Sequence, residues 1–275
     1  MKLSEMKQIL SERGLQLTKS LGQNFLHDGN QLRRIVEAAK LTKEDKVLEI
    51  GPGLGPLTEL LVERAGEVLA IEKDERLVAT LKGRSKAPSL KLVHDDALEY
   101  LQRETHDWSA WKLVSNLPYS VASPILVELA QAQDGPKLLV ATLQLEVAKR
   151  LMAAPGERDY GVLTLLVQVE YEPKGIFKIP ASCFFPEPDV DSACVRLVRR
   201  DPGLLSPQQK SVFTNIVKRA FSQRRKMMLK LLKEEWPTKK LDEVFEELQL
   251  AAQTRAETVS LEQFVRLTKL LLKDF

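Results

Sequence analysis

The chain has 275 residues, 44% hydrophobic and 29% charged. That balance fits one large folded core with a small second domain and excludes a disordered chain. The formal net charge of +3 is unevenly placed, with −1 over residues 1–200 and +4 over residues 201–275. Two cysteines, Cys183 and Cys194, read as reduced thiols of a cytoplasmic protein rather than a disulfide framework. The opening residues MKLSEMKQILSERG lack the apolar core of a secretory signal. The longest apolar candidate, Gly161 to Val169, is far shorter than the roughly 20 residues of a membrane helix. No metal-ligand pattern stands out.

From Lys46 to about Leu151 short apolar strands alternate with helices. Strands are predicted at 46–50, 67–71, 90–94, 113–116 and 138–143, and helices at 56–64, 75–82 and 124–131. This alternation predicts an α/β fold with a mostly parallel sheet covered on both faces. Two further strands, 176–179 and 193–198, flank a Pro-rich loop and add an antiparallel end. Asp201-Pro202-Gly203 reads as a linker, dividing residues 1–200 from an all-helical domain over residues 203–275. There Ser206 is a predicted helix cap with Pro207 at the first position. Phe213, Ile216, Val217, Ala220 and Phe221 form one buried face, and two more helices follow at 241–248 and 261–271.

Glu49-Ile50-Gly51-Pro52-Gly53-Leu54-Gly55 ends the first strand. Ligands of open α/β sheets bind outside strand carboxyl ends. Glycine lets the backbone approach a ligand there, although a tight strand-to-helix turn would also use it. Glu72 ends the next strand, placed to accept from two ribose hydroxyls. The spacing G-x-G-x-G, with Pro56 at the third fingerprint position, disfavours a dinucleotide and suits the adenosyl part of S-adenosylmethionine. Asp96 ends the third strand. It could accept from an adenine amine or cap the following helix.

Asn116-Leu117-Pro118-Tyr119 ends the fourth strand. Pro118 lacks an N–H and holds Leu117 extended, which can free the Leu117 carbonyl as an acceptor. The Asn116 side-chain carbonyl is a second acceptor, and Tyr119 is a flat face for a base. Two acceptors match an amine with two hydrogens. Adenine N6 is a poor nucleophile because its lone pair is delocalised into the ring. Holding both hydrogens restores that lone pair without a strong base, which is catalysis by positioning. The base must leave its stack to enter such a pocket. A plain turn is the competing reading. Between Lys210 and Lys240 ten basic residues face two acidic ones, which points to a polyanion partner or a solvated helix face.

These motifs resemble the KsgA/RsmA-type ribosomal RNA small-subunit adenine dimethyltransferases. The resemblance covers nearly the whole chain. It adds Gly22-Gln23-Asn24-Phe25-Leu26, the run Phe184 to Ser192 (FFPEPDVDS), and Ala220 to Lys226 (AFSQRRK) to the motifs above. It implies a Rossmann-like S-adenosylmethionine-dependent methyltransferase sheet. It implies dimethylation at N6 of two adjacent adenosines near the 3′ end of small-subunit (16S) ribosomal RNA, during ribosome biogenesis. By motif match, Asn24, Leu26, Gly51, Gly53, Glu72, Asp96 and Asn116 would bind the cofactor. Asn116 and the Leu117 carbonyl, shaped by Pro118, would hold the target amine, with Tyr119 and Phe184 stacking on the base. Phe184, in a Pro-rich loop, reads as an exposed stacking ring or as packing beside Phe185. Lys218, Arg224, Arg225 and Lys226, on a helix running through 221–226, would contact RNA phosphates. The implied partner is the assembling small subunit and the acting unit a monomer.

The chain departs from the family at Leu145, where bacterial members usually carry lysine, and at Met227-Met228-Leu229. Both departures touch the expected RNA-facing side, not the cofactor motifs. Two rivals share the fold: a large-subunit ribosomal RNA adenine methyltransferase of the antibiotic-resistance type, and a non-catalytic assembly or transcription factor. The intact Gly51, Gly53, Glu72, Asp96 and Asn116 speak against the second. A DNA adenine methyltransferase typically carries an acidic residue where this chain has Asn116.

Overall fold

The computed structural model describes residues 1–15, 23–103, 106–223 and 225–272. Its chain forms two compact units, residues 1–148 with 173–199, and residues 149–172 with 200–275.

The first unit begins with α1 (Leu3–Glu12), β1 (Phe25–Leu26) and α2 (Gly29–Ala39). The alternation follows as β2 (Lys46–Ile50), α3 (Pro56–Arg64), β3 (Glu67–Glu72), α4 (Glu75–Arg84), β4 (Leu90–His94), α5 (Ala97–Arg103), β5 (Trp111–Asn116), α6 (Ala122–Gln131) and β6 (Leu138–Gln144). Next come α7 (Leu145–Met152), α8 (Val162–Gln168), β7 (Tyr171–Ile179), β8 (Phe184–Phe185) and β9 (Ser192–Arg199). The seven-stranded sheet has the order β4-β3-β2-β5-β6-β9-β7. Pairing is parallel from β4 through β6, and β9 runs antiparallel to β6. The predicted sheet is therefore present, with its antiparallel end, and its strand order reverses between β2 and β5. Central strands such as β6 are buried on both faces, which is why they read as continuous apolar runs. A two-residue ribbon of β1 and β8 is an addition that the sequence pattern did not predict.

Helix starts follow local chemistry. Asp28 accepts from the Gln31 N–H at the start of α2, and Asp74 accepts from the Arg76 N–H at the start of α4. Gly55 enters α3 in the left-handed region, followed by Pro56 at its first position.

The second unit contains α8 with α9 (Pro207–Ala220), α10 (Met228–Leu232), α11 (Thr238–Glu247) and α12 (Leu261–Leu271). Ser206 and Gln209 form the capping box of α9. Phe213, Ile216, Val217 and Ala220 are buried, whereas Phe221 is half-buried and stacks on Phe264 with ring centroids 6.2 Å apart. The boundary expected near residue 200 needs one correction. Residues 149–172 belong with the helical unit, because α8 packs on α9 and Lys210 pairs with the buried Glu170 at 2.8 Å. The described residues 221–223, 225 and 226 do not continue the helix as expected. The chain leaves α9 after Ala220, and a turn carries the Lys226 N–H to the Gln223 carbonyl at 2.9 Å. Among the described residues, no helix is long and apolar enough to cross a membrane.

At the amino ends of β2 and β5, Asp45 is buried between two lysines. It meets Lys112 at 2.8 Å and Lys137 at 3.0 Å, and Lys112 also donates to the Ala39 and Lys40 carbonyls that end α2. Burial opposes ionisation of Asp45. Hydrogen bonds from Lys112, the Thr42 N–H and Lys137 outweigh it and bring its pKa from 3.8 to about 2. The depressed pKa means that the stability it contributes is complete above pH 3.8 and lost as pH falls toward 2. Asp45→Asn is expected to lower Tm at pH 7 by roughly 5–15 °C, since breaking a buried pair costs about 3–5 kcal/mol. The deficit should shrink below pH 3, as read by calorimetry across pH.

Candidate functional site

A cleft of about 280 Å³ lies at the carboxyl ends of β2, β3 and β5. Gly51 and Gly53 line it with φ of +69° and +60°. A Cβ on Gly51 would stand 2.9 Å from Pro118 Cγ, and one on Gly53 would stand 2.6 Å from Phe25 Cε1. Glycine is thus required twice over, by dihedral and by space. The first contact also shows that the glycine loop and the Asn116–Tyr119 segment touch.

Glu72, at the end of β3, is only 7% exposed. One oxygen accepts from the Gly53 N–H at 3.1 Å and the other from the Asp74 N–H at 2.9 Å. Burial raises its pKa, and the Asp74 and Gly53 N–H groups partly offset this. The carboxylate keeps lone-pair capacity for a further donor. Beneath it Glu49 is 1% exposed, with one oxygen lacking a partner among the described residues. Burial, with a contribution from Glu72, pushes the Glu49 carboxyl up to about 8 against the opposing Thr58 hydroxyl.

Asp96 lines the cleft and does what the simpler expectation held, capping α5 through bonds from the Leu98 and Glu99 N–H groups. Its second oxygen meets Lys73 at 2.7 Å. The Lys73 ammonium holds the Asp96 carboxyl below its usual range, more than offsetting burial.

Asn116 closes β5. Its Nδ2 donates to the Asn24 carbonyl at 3.1 Å, and its Oδ1 is buried without a partner among the described residues. The Leu117 N–H donates to the Thr142 carbonyl at 3.0 Å, and the Val121 N–H goes to the Pro118 carbonyl at 3.1 Å. The Tyr119 ring lines the cleft, and its hydroxyl lies 2.5 Å from Ser192 Oγ.

Asn24, Gly51, Gly53, Glu72, Asp96 and the Asn116–Tyr119 segment are therefore brought together. Leu26 does not join them. Its side chain is core, and its backbone pairs with Phe184. Phe184 is not the exposed ring that the loop context predicted: it is 2% exposed, in the β1–β8 ribbon and packed in the same core. Lys218, Arg225 and Lys226 are exposed in the second unit, and Arg224 lies outside the described residues. Sequence reasoning missed Ser115, Ser192 and Lys73. Their partners lie 65, 73 and 23 residues away, so no local spacing announces them.

Residues 14–273 match the family described as ribosomal RNA adenine dimethylase. A "Ribosomal RNA small subunit methyltransferase A" of Clostridium perfringens (strain SM101 / Type A) is 39% identical, covering 94% of this chain and 92% of its own. The protein of that name from Latilactobacillus sakei subsp. sakei (strain 23K) is 37% identical over 96% and 93%. Among solved structures, a dimethyladenosine transferase from Plasmodium falciparum superposes with a TM-score of 0.76 at 27% identity, covering 88% of this chain and 95% of its own. The 23S rRNA methyltransferase ErmE gives 0.71 at 28% identity over 90% and 99%. The two motif loops that meet at Gly51 and Pro118 thus stand in a chain that belongs to the ribosomal RNA adenine dimethylase family.

Proposed function

We propose that this chain transfers methyl groups from S-adenosylmethionine to N6 of two adjacent adenosines of small-subunit ribosomal RNA, acting on the assembling subunit. The observation that carries this is the pair of acceptors at the β5 end, Asn116 Oδ1, unpartnered among the described residues, and the Leu117 carbonyl, set beside the glycine loop. Both curated relatives named above are small-subunit enzymes, whereas ErmE carries the large-subunit name at lower identity. Two free thiols and a chain without a long apolar helix among the described residues support a cytoplasmic setting.

The cleft fits the donor. Gly51 and Gly53 leave space that any Cβ would take, and Glu72 has lone pairs for ribose hydroxyls. Asp96 would accept from the adenine amine, and Asn24 would contribute at the cleft edge. When bound, S-adenosylmethionine supplies an electrophilic methyl on a sulfonium. The remaining work is done by the chain. Asn116 Oδ1 and the Leu117 carbonyl accept the two N6 hydrogens and so concentrate the nitrogen lone pair. Tyr119 supports the flipped base. Phe184 is 2% exposed and packed in the core, so the stacking role falls to Tyr119. The methylated nitrogen is acidic enough to release its proton without a dedicated base. Exposed Lys218, Arg225 and Lys226 would meet phosphates of the RNA.

The deciding experiment supplies labelled S-adenosylmethionine with unmodified small subunits, large subunits or DNA. Label is expected on small subunits only; label confined to large subunits would overturn the reading. Asn116→Ala should lower kcat about 10²–10³-fold, as for loss of one preorganised polar group, with donor affinity within about threefold. Glu72→Gln should weaken donor binding by about 10–100-fold by calorimetry, because an amide cannot accept from both the Gly53 and Asp74 N–H groups. Replacing Lys218, Arg225 and Lys226 by Ala should each weaken RNA binding and reduce the slope of log affinity against log salt by about 1.

A further inference from the structure

The run Phe184 to Ser192 is the family motif that the reaction itself leaves unexplained. Its last residues form a rigid post. Asp191 accepts from the Ala181 N–H at 2.9 Å, pairs with Lys178 at 2.6 Å, and its carbonyl accepts from the Leu145 N–H at 2.9 Å. Ser192 is fully buried opposite Gln144, the last residue of β6. Its hydroxyl meets the Tyr119 hydroxyl at 2.5 Å. The two residues are 73 positions apart, so the contact joins the far end of the Asn116–Tyr119 segment to β9.

We propose that Ser192 is a positioning residue for methyl transfer, holding the Tyr119 ring by its hydroxyl at the place where the target base stacks. This rests on the stacking role given above to Tyr119. The phenol oxygen lies on the ring's own rotation axis, so the contact fixes where the ring stands. Phenol hydrogen bonds favour the ring plane, which also limits its tilt. An aromatic χ2 is otherwise broad. A ring so held sets how deep the base seats against Asn116 Oδ1 and the Leu117 carbonyl, and misplacement of a reacting group by a fraction of an ångström already slows reaction. The Tyr119 phenol is half-buried, and burial raises its pKa, so it stays a neutral hydroxyl able to keep this bond.

The test is a double-mutant cycle on the full chain, with S-adenosylmethionine and unmodified small subunits. Tyr119→Phe, Ser192→Ala, the double variant and Tyr119→Ala are compared for kcat, KM and thermal melting. Tyr119→Phe and Ser192→Ala should each lower kcat about tenfold, with KM for S-adenosylmethionine within about twofold, and the double variant should fall no further than either single one. A double variant that loses about 100-fold, the product of independent effects, overturns the proposal, as does either single variant at the wild-type rate. Tyr119→Phe keeps the ring and its packing, so if Ser192→Ala melts early, the phenylalanine variant alone decides. Tyr119→Ala at the wild-type rate would instead sink the stacking reading, a separate outcome.

Discussion

Two parallel strands must part to open the cleft and yet must not drift, and a buried hydroxyl reconciles the two needs. β2 and β5 pair through Lys46–Trp111, Val47–Lys112 and Leu48–Leu113, and the ladder then stops. Two residues further on, Ser115 Oγ donates to the Ile50 carbonyl at 2.6 Å and accepts from the Ile50 N–H at 3.3 Å. A side chain here replaces ladder bonds that the divergence removed, so neither backbone group of Ile50 is left unsatisfied. The strands are free to splay beyond this point, and the next residues on each side are Gly51 and Asn116. The Gly51–Pro118 approach is possible because the clamp sits one residue below it. At the opposite ends of the same strands, Asp45 and Lys112 close the base of the sheet. The cleft is thus held from below and at its hinge.

The floor of the cleft is electrostatically unusual. Glu49 and Glu72 stand close enough for one to disfavour ionisation of the other, and both are buried. The geometry divides them. Glu72 receives two backbone N–H bonds, which favour its charged form, whereas one Glu49 oxygen has no partner among the described residues. The cheaper arrangement near neutral pH keeps Glu49 protonated and leaves the negative charge on Glu72, facing the cleft. A raised native pKa makes the folded state hold a proton that the unfolded chain releases. Burial of Glu49 therefore weighs against stability increasingly as pH rises from 4.5 to about 8. One carboxylate charge, rather than two, is thus presented to the cleft.

Much of this was legible in the sequence, for reasons that are local. Strands buried on both faces leave apolar runs, caps leave Asp and Ser at fixed offsets, and a left-handed turn leaves glycine. The G-x-G-x-G spacing with Pro56 therefore located the cleft loop, and Asn116 to Tyr119 located its opposite wall. What escaped was non-local or too short. A two-residue ribbon such as β1–β8 has no periodicity, so Phe184 read as a loop residue although its ring is core. The exit from α9 carries no glycine or proline, so a helix through residues 221–226 was the natural reading. Residues 149–172 joined the helical unit through packing of α8, which no composition shift signals.

Position 116 shows a fold selecting a side chain that the reaction alone would leave open. A methyl-transfer site needs an acceptor there, and a carboxylate would supply one. The Asn24 carbonyl, however, lies 3.1 Å from the Asn116 amide nitrogen, where a carboxylate would present a second lone-pair oxygen to it. The amide resolves this by dividing its two ends. Its donor end is consumed by the backbone of the segment leading into β1, which fixes the rotamer. Its acceptor end, Oδ1, is buried and has no partner among the described residues. Under the proposed mechanism an amine would meet this acceptor only with a hydrogen pointed at Oδ1. In the proposed reaction that acceptor would orient the incoming base, and asparagine suits the position because it can be held from its amide end and offer a carbonyl at the other within a short reach.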